Sequence, residues 1–321
     1  NEAAFLYQLL VRSFGTNNLP DCSNMCHESS GTALTESIGI GKGSVTVEDL
    51  VLADLIVIAG QNPGTNHPRM LSILEKAKGR GAQIIAVNPL PEAGLMRFKD
   101  PQKVHGVIGD GVPIADEFVQ IRLGGDMALF AGLGRLLLEA DDRAPGTVVD
   151  RDFVAAHSAG FADYERRTRA VDLTEVAEAT GIDRAQLERV AARMAGAQRI
   201  VVCWAMGLTQ HKHAVPTISE ISNVLLMRGM IGKPGAGLCP VRGHSNVQGD
   251  RTMGIWEKMP ETFLTALDDR FGISSPREHG LDTVDAIRAM RDGKARVFMA
   301  MGGNFASATP DTVVTEAALR K

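Results

Sequence analysis

The chain has 321 residues, with 34 Lys and Arg against 38 Asp and Glu, a formal net charge of −4 and 44% hydrophobic residues. That balance is the one expected of a soluble globular chain with room for about two domains, each burying its own core. The longest apolar run is about nine residues around Ile200 to Leu208, short of the ~18 a membrane helix needs; nothing reads as a secretory leader, and the slightly acidic, aromatic-poor composition argues against a dedicated nucleic-acid binder.

The four cysteines, Cys22, Cys26, Cys203 and Cys239, are too few for a disulfide scaffold, so a reducing, cytoplasmic setting is expected and any chemistry they perform involves thiolates. The chain opens at Asn1 inside a helical pattern (Phe5, Leu6, Leu9, Leu10) and stops at Lys321 just after a strand-to-helix unit has begun, which reads as an internal piece of a longer polypeptide.

The next segment, Asp21 to Gly31, is a polar loop holding Cys22, Cys26 and His27. A thiolate beside an imidazole suits a transition-metal ligand, a nucleophile or half a zinc site; a plain buried pair of thiols with a capping histidine fits equally well. The glycine cluster Gly39 to Ser44 invites a phosphate-loop reading, but Glu36 stands where the first glycine is required and no strand precedes it.

From Leu55 onward the pattern is a short apolar run, a Gly/Pro/Asn loop, then a helix, which is how buried parallel strands and their crossovers look. Leu55 to Ala59 predicts the first strand, with the loop Gly60 to His67 and a helix opening at Pro68 with Met70, Leu71 and Leu74 on its apolar face. Ile84 to Val87 predicts the second, leading to Asn88 where nucleotide-binding folds often place a ribose-holding acid. Phe118 to Leu123 predicts the third, leading through Gly124 and Gly125 into a helix carrying Met127, Leu129, Phe130, Leu133, Leu136 and Leu137, with Arg122 and Asp126 supplying a cation and a cap at the strand end. A helical pair fills 173–197, broken at Gly181 and restarted by a capping box at Asp183 and Gln186. Ile200 to Met206 predicts another strand, with a loop from Gly207 to His213 and a helix over 216–228. The stretch from Gly232 to Gly249 has five glycines and no helix or strand period, and an Arg held in it, Arg242, suits bidentate grip of a carboxylate. A helix near 282–291 and a strand over Val297 to Ala300 close the pattern.

This alternation predicts a Rossmann-like, doubly wound parallel α/β domain, whose ligands bind beyond the carboxyl ends of the strands. A strand that ends in glycine and turns into a helix, as at Gly60, offers unpaired N–H groups to a phosphate.

Taken together, Cys26-His27, the Gly60 to Pro68 loop, Trp204 to Gln210, the Gly232 to Gly249 segment and Met301-Gly302-Gly303-Asn304 resemble the molybdopterin-dependent oxidoreductases of the DMSO-reductase superfamily, most closely the formate dehydrogenase alpha-subunit branch that includes YdeP-like proteins. The resemblance runs through nearly the whole chain. It implies bis-molybdopterin guanine dinucleotide with molybdenum or tungsten, with Cys26 as metal ligand, His27 taking or relaying the proton and Arg242 orienting formate, which is oxidised to CO2 by two-electron transfer to the metal. Cofactor contacts are expected at Gly60, Asn62, Asn88, Arg122, Gly124, Asp126, Gly207, Gln210 and Gly303, and an electron-accepting protein or subunit is implied. The family's upstream 4Fe–4S segment and its final domain closing over the dinucleotides are not in this chain, so a cluster would belong to the full-length protein. Asn88-Pro89-Leu90 stands where the family pattern is Asp-Pro-Arg, and Glu28-Ser29 where the better-known formate enzymes have a Gly-Pro turn.

The expected organisation is a cofactor domain over residues 22–244, with 1–21 and 245–321 belonging to a neighbouring, incomplete α/β domain. Two other functions remain open at this point: the same cofactor acting on another small oxyanion or oxo compound, and a catalytically inactive α/β module serving in protein interaction.

Overall fold

The computed structural model describes residues 1–321, the side chain of His105 excepted, and divides them into two compact units, residues 27–243 and residues 1–26 with 244–321. The first border falls between Cys26 and His27, later in the chain than the sequence suggested.

The larger unit is built on five strands: β1 (Leu55–Ala59), β2 (Gln83–Asn88), β3 (Glu117–Gln120), β4 (Ile200–Trp204) and β5 (Gly237–Pro240). All pair in parallel, in the order β3-β2-β1-β4-β5. The chain moves outward from β1 to β2 to β3, then crosses to the other side of β1, so a topological switch point lies between β1 and β4. Six principal helices accompany the sheet: α1 (Glu28–Ile38), α2 (Pro68–Gly79), α3 (Asp126–Arg143), α4 (Leu173–Thr180), α5 (Arg184–Gly196) and α6 (Ala214–Met227).

Strands β1 and β4 are apolar at every position because both faces are covered. Leu55, Val57, Ala59, Val202 and Trp204 face one core with residues of α1 and α3–α6, among them Leu34, Phe130, Leu137, Leu187 and Ile221. Ile56, Ile58, Val201 and Cys203 face a second core with Leu71 and Leu74 of α2 and with Leu95 and Ile114. At Gly181, the left-handed φ of 73° ends α4, and Asp183 caps α5 by accepting from Gln186 N at 2.7 Å. The Gln186 side chain does not return to close a capping box; it donates to Glu117 Oε1 and Phe118 O, tying α5 to the edge strand.

Three elements differ from their sequence expectation. The third strand ends at Gln120, and Leu123 is 80% exposed, because Arg122 N turns away to donate to Thr180 O at the end of α4. The fourth ends at Trp204, since Met206 opens a helical turn. The Gly232 to Gly249 segment holds β5, whose four residues include a glycine and a proline and carry no readable period.

The smaller unit is helical within its described residues, including Glu2–Ser13, Glu261–Phe271, Thr283–Arg291 and Thr312–Leu319. The expected strand Val297 to Ala300 does not form: no described residue pairs with it, and Val297 is 84% exposed. An unpaired strand keeps its backbone groups in water rather than in a ladder. The first helix also turns a different face inward. Leu6 and Leu10 are exposed, whereas Gln8, Val11 and Arg12 are buried. Arg12 donates to Gln8 Oε1, Asn17 Oδ1, Gly254 O and Trp256 O, and burial draws its pKa down to about 10.

Candidate functional site

The loops leaving β1 and β4 meet at the switch point backbone to backbone. Gly60 adopts φ 57°, donates to Val87 O at 3.0 Å and accepts from Gly207 N at 2.9 Å. A Cβ on Gly60 would lie 2.8 Å from the Gly207 carbonyl carbon, and one on Gly207 would overlap Gly60 in the same way. Only glycine fits either position without strain, so both expected cofactor residues lie at one close backbone contact between the β1 and β4 loops.

Around that junction the β1 loop is polar and buried. Asn62, 8% exposed, caps the turn Pro63–Asn66 by accepting from Thr65 N at 3.2 Å. Gln61 is 2% exposed; its amide N–H contacts His67 Nδ1 at 3.2 Å, and Gln61 Oε1 and His67 Nε2 have no partner among the described residues. With Nδ1 accepting, Nε2 carries the proton, so an acceptor and a donor stand unsatisfied together. Each such buried group costs about 1–3 kcal/mol, a cost a ligand removes. Burial lowers the His67 pKa, which keeps that ring neutral.

His27 opens α1 and is 1% exposed. Its Nδ1 lies 2.9 Å from Ser30 Oγ and its Nε2 3.2 Å from Val241 O. A carbonyl only accepts, so Nε2 carries the hydrogen and the Ser30 hydroxyl donates to Nδ1; Ser30 Oγ in turn accepts from Trp204 Nε1 at 3.0 Å. Burial first, then the nearby Arg242 charge, brings the His27 pKa down to about 4. The imidazole is therefore a neutral strut between the end of β4 and the residue before Arg242. Val241 N donates to Trp204 O at 2.8 Å, extending the β5 pairing, and Arg242 Nη2 donates to Gly41 O at 3.3 Å.

Cys26 belongs to the smaller unit, where it ends the turn Cys22–Met25 and donates from its backbone to Ser23 O at 3.1 Å. Asp21 caps that turn and is gripped by Arg251 with bonds of 2.6 and 3.1 Å. Cys26 is half-buried and in no disulfide. Gly303 lies in the same unit, exposed, with φ 111°.

The other expected residues are spread along the strand ends. Asn88 is 8% exposed and donates to Leu90 O at 2.8 Å and to Glu92 Oε2 at 3.0 Å. Arg122 donates to Glu178 O at 2.7 Å, a bond that helps finish α4. Gly124 is exposed, at φ 83°. Asp126 begins α3 with its pKa raised by burial, and Gln210 is an exposed residue after β4. Sequence reasoning missed Ser30, Trp204 and Glu92 as site residues and quoted Gln61 and His67 only as part of a loop. Glu92, four residues past a strand end, was the one with a usable signal.

The sheet order brings the glycine junction and the unsatisfied donor and acceptor together at the carboxyl ends of β1 and β4 in a doubly wound α/β unit. The chain belongs to the molybdopterin oxidoreductase family, whose model matches residues 1–321. It is 79% identical over all 321 residues to an oxidoreductase of Mycobacterium tuberculosis and 46% identical over 316 residues, 97% of the chain, to protein YdeP of Escherichia coli, covering 41% and 42% of those proteins. Formate dehydrogenase H of Escherichia coli is 30% identical over 264 residues, 82% of this chain and 33% of that protein. Acetylene hydratase from Pelobacter acetylenicus has the same fold, with a TM-score of 0.63 at 18% identity over 91% of this chain and 40% of that one. The chain thus spans about two fifths of the length of the relatives it matches most fully. No helix among the described residues is long and apolar enough to cross a membrane.

Proposed function

We propose that the full-length protein carries bis-molybdopterin guanine dinucleotide with molybdenum or tungsten and oxidises formate to CO2 in the cytoplasm, passing electrons to a protein acceptor. The observation that carries this reading is the Gly60–Gly207 junction with the unsatisfied Gln61 and His67 atoms beside it. A pyrophosphate needs close backbone approach and donors at a strand end; His67 Nε2 is such a donor, whereas the Gly60 and Gly207 N–H groups are already given to Val87 O and Gly60 O. Gly60, Asn62, Gly207 and Gln210 would hold one dinucleotide from the β1 and β4 loops. Asn88, Arg122, Gly124 and Asp126 follow the ends of β2 and β3, and Gly303 remains a proposed cofactor contact within its own unit. When bound, the metal supplies a two-electron acceptor, with Cys26 as its protein ligand.

Arg242 orients the substrate carboxylate, a planar anion suited to a guanidinium fork. His27 holds the Val241–Arg242 backbone through its Nε2 bond, and for it to relay a proton that bond or the Ser30 bond to Nδ1 would have to open. Similarity to formate dehydrogenase H favours formate over other oxyanions.

Replacing Arg242 by Ala in the full-length protein is expected to lower kcat/KM for formate by about a hundredfold or more while metal content stays unchanged, since an anion bound through a charged fork is worth about 2–4 kcal/mol. Formate turnover that survives this change contradicts formate as substrate and favours a neutral oxo compound.

A further inference from the structure

The end of β2 is where a doubly wound fold places the acid that holds a nucleotide ribose, and there this chain has Asn88. The residues that follow fold back on it. Asn88 gives one amide hydrogen to Leu90 O at 2.8 Å and the other to Glu92 Oε2 at 3.0 Å, and Glu92 N donates to Leu90 O at 2.9 Å. Gln120 Nε2 donates to Pro89 O at 3.0 Å, pinning the loop to the next strand. The loop places a half-buried carboxylate at the strand end, and Glu92 Oε1 takes no bond among the described residues. The same loop reaches the β1 loop: a Cβ on Gly94 would lie 2.3 Å from Asn62 Oδ1 and 2.6 Å from Gly64 Cα, so the two loops are in close contact there.

We infer that Glu92, oriented by Asn88, is the ribose-binding acid of the nucleotide lying over β1 and β2, its carboxylate accepting from the vicinal hydroxyls of a guanosine. Asn88 replaces the expected acid with an amide that aims a carboxylate from four residues on, so charge and acceptor count at the strand end are preserved. This rests on the cofactor reading above, because it needs a guanine nucleotide on that side of the sheet.

The test uses the full-length protein prepared without cofactor, titrated with GDP and with 2′,3′-dideoxy-GDP. The wild type is expected to bind GDP at least about tenfold more tightly than the dideoxy compound, the discrimination given by hydrogen bonds to a charged acceptor. Glu92→Gln retains an oxygen for the Asn88 amide and is expected to bind both compounds alike, at the weaker affinity. Asn88→Asp introduced into Glu92→Ala is expected to restore the preference, which a purely structural role for Glu92 does not predict. A preference for GDP that persists in Glu92→Gln overturns the assignment. Acid release from the holoprotein separates the two levels: no GMP overturns the nucleotide cofactor and this inference together, whereas GMP present with Glu92→Gln unaffected overturns this inference alone.

Discussion

At the scale of single residues, positive φ and close approach are separable causes. Gly60 and Gly124 both occupy the left-handed region, but a Cβ on Gly124 meets nothing within 4 Å whereas one on Gly60 meets the Gly207 backbone. Gly124→Ala is expected to cost about 1 kcal/mol, the conformational penalty alone, and Gly60→Ala about 2–4 kcal/mol, with overlap added. Urea unfolding of the two variants measures the difference; equal costs would mean that the β1 and β4 loops part easily. Sequence spacing exposed Gly60 as a strand-end glycine but said nothing of Gly207 as its neighbour, because the contact joins loops 147 residues apart, from 60 to 207. Ser30 was illegible for the same reason: its worth lies in taking the Trp204 N–H and giving a hydrogen to His27.

Among elements, buried polar pairs fix how helices meet. Tyr164, on the helix Phe161–Arg169, donates to Glu220 Oε1 of α6 at 3.0 Å, and burial raises the Glu220 pKa above its ordinary value. A carboxyl raised by folding binds its proton more readily in the native state, so its contribution is full at low pH and declines as pH rises through the ordinary carboxylate range. The Tyr164 hydroxyl offsets the charge that then appears. Tyr164→Phe is therefore expected to destabilise the larger unit by about 1–3 kcal/mol, more at pH 7 than at pH 4, read from denaturant melts at both. A loss independent of pH would mean that Glu220 stays protonated at neutrality. Element type was legible wherever an apolar run was long and both-faced, as in β1, β2 and β4. It was not legible at β5, where Gly237 and Pro240 flank two apolar residues, nor in the first helix, where leucines stay exposed and a buried Arg12 takes four polar partners instead.

For the whole molecule, strand order decides where chemistry sits. The reversal between β1 and β4 was not readable from spacing, yet alternation of strands and helices sufficed to direct attention to strand-end loops, and the glycine junction lies in two of them. The smaller unit was the harder part, since its only expected strand lacks a described partner and its helices carry few apolar repeats. The function proposed for the full-length protein requires a metal held by two guanine dinucleotides. Its most direct measurement is the metal and guanine-nucleotide content of the full-length protein purified from cells with intact cofactor supply. The expected result is about one molybdenum or tungsten per chain, and about two GMP released by acid for each metal, the ratio a bis-dinucleotide cofactor requires. Folded full-length protein with neither metal nor GMP would contradict it.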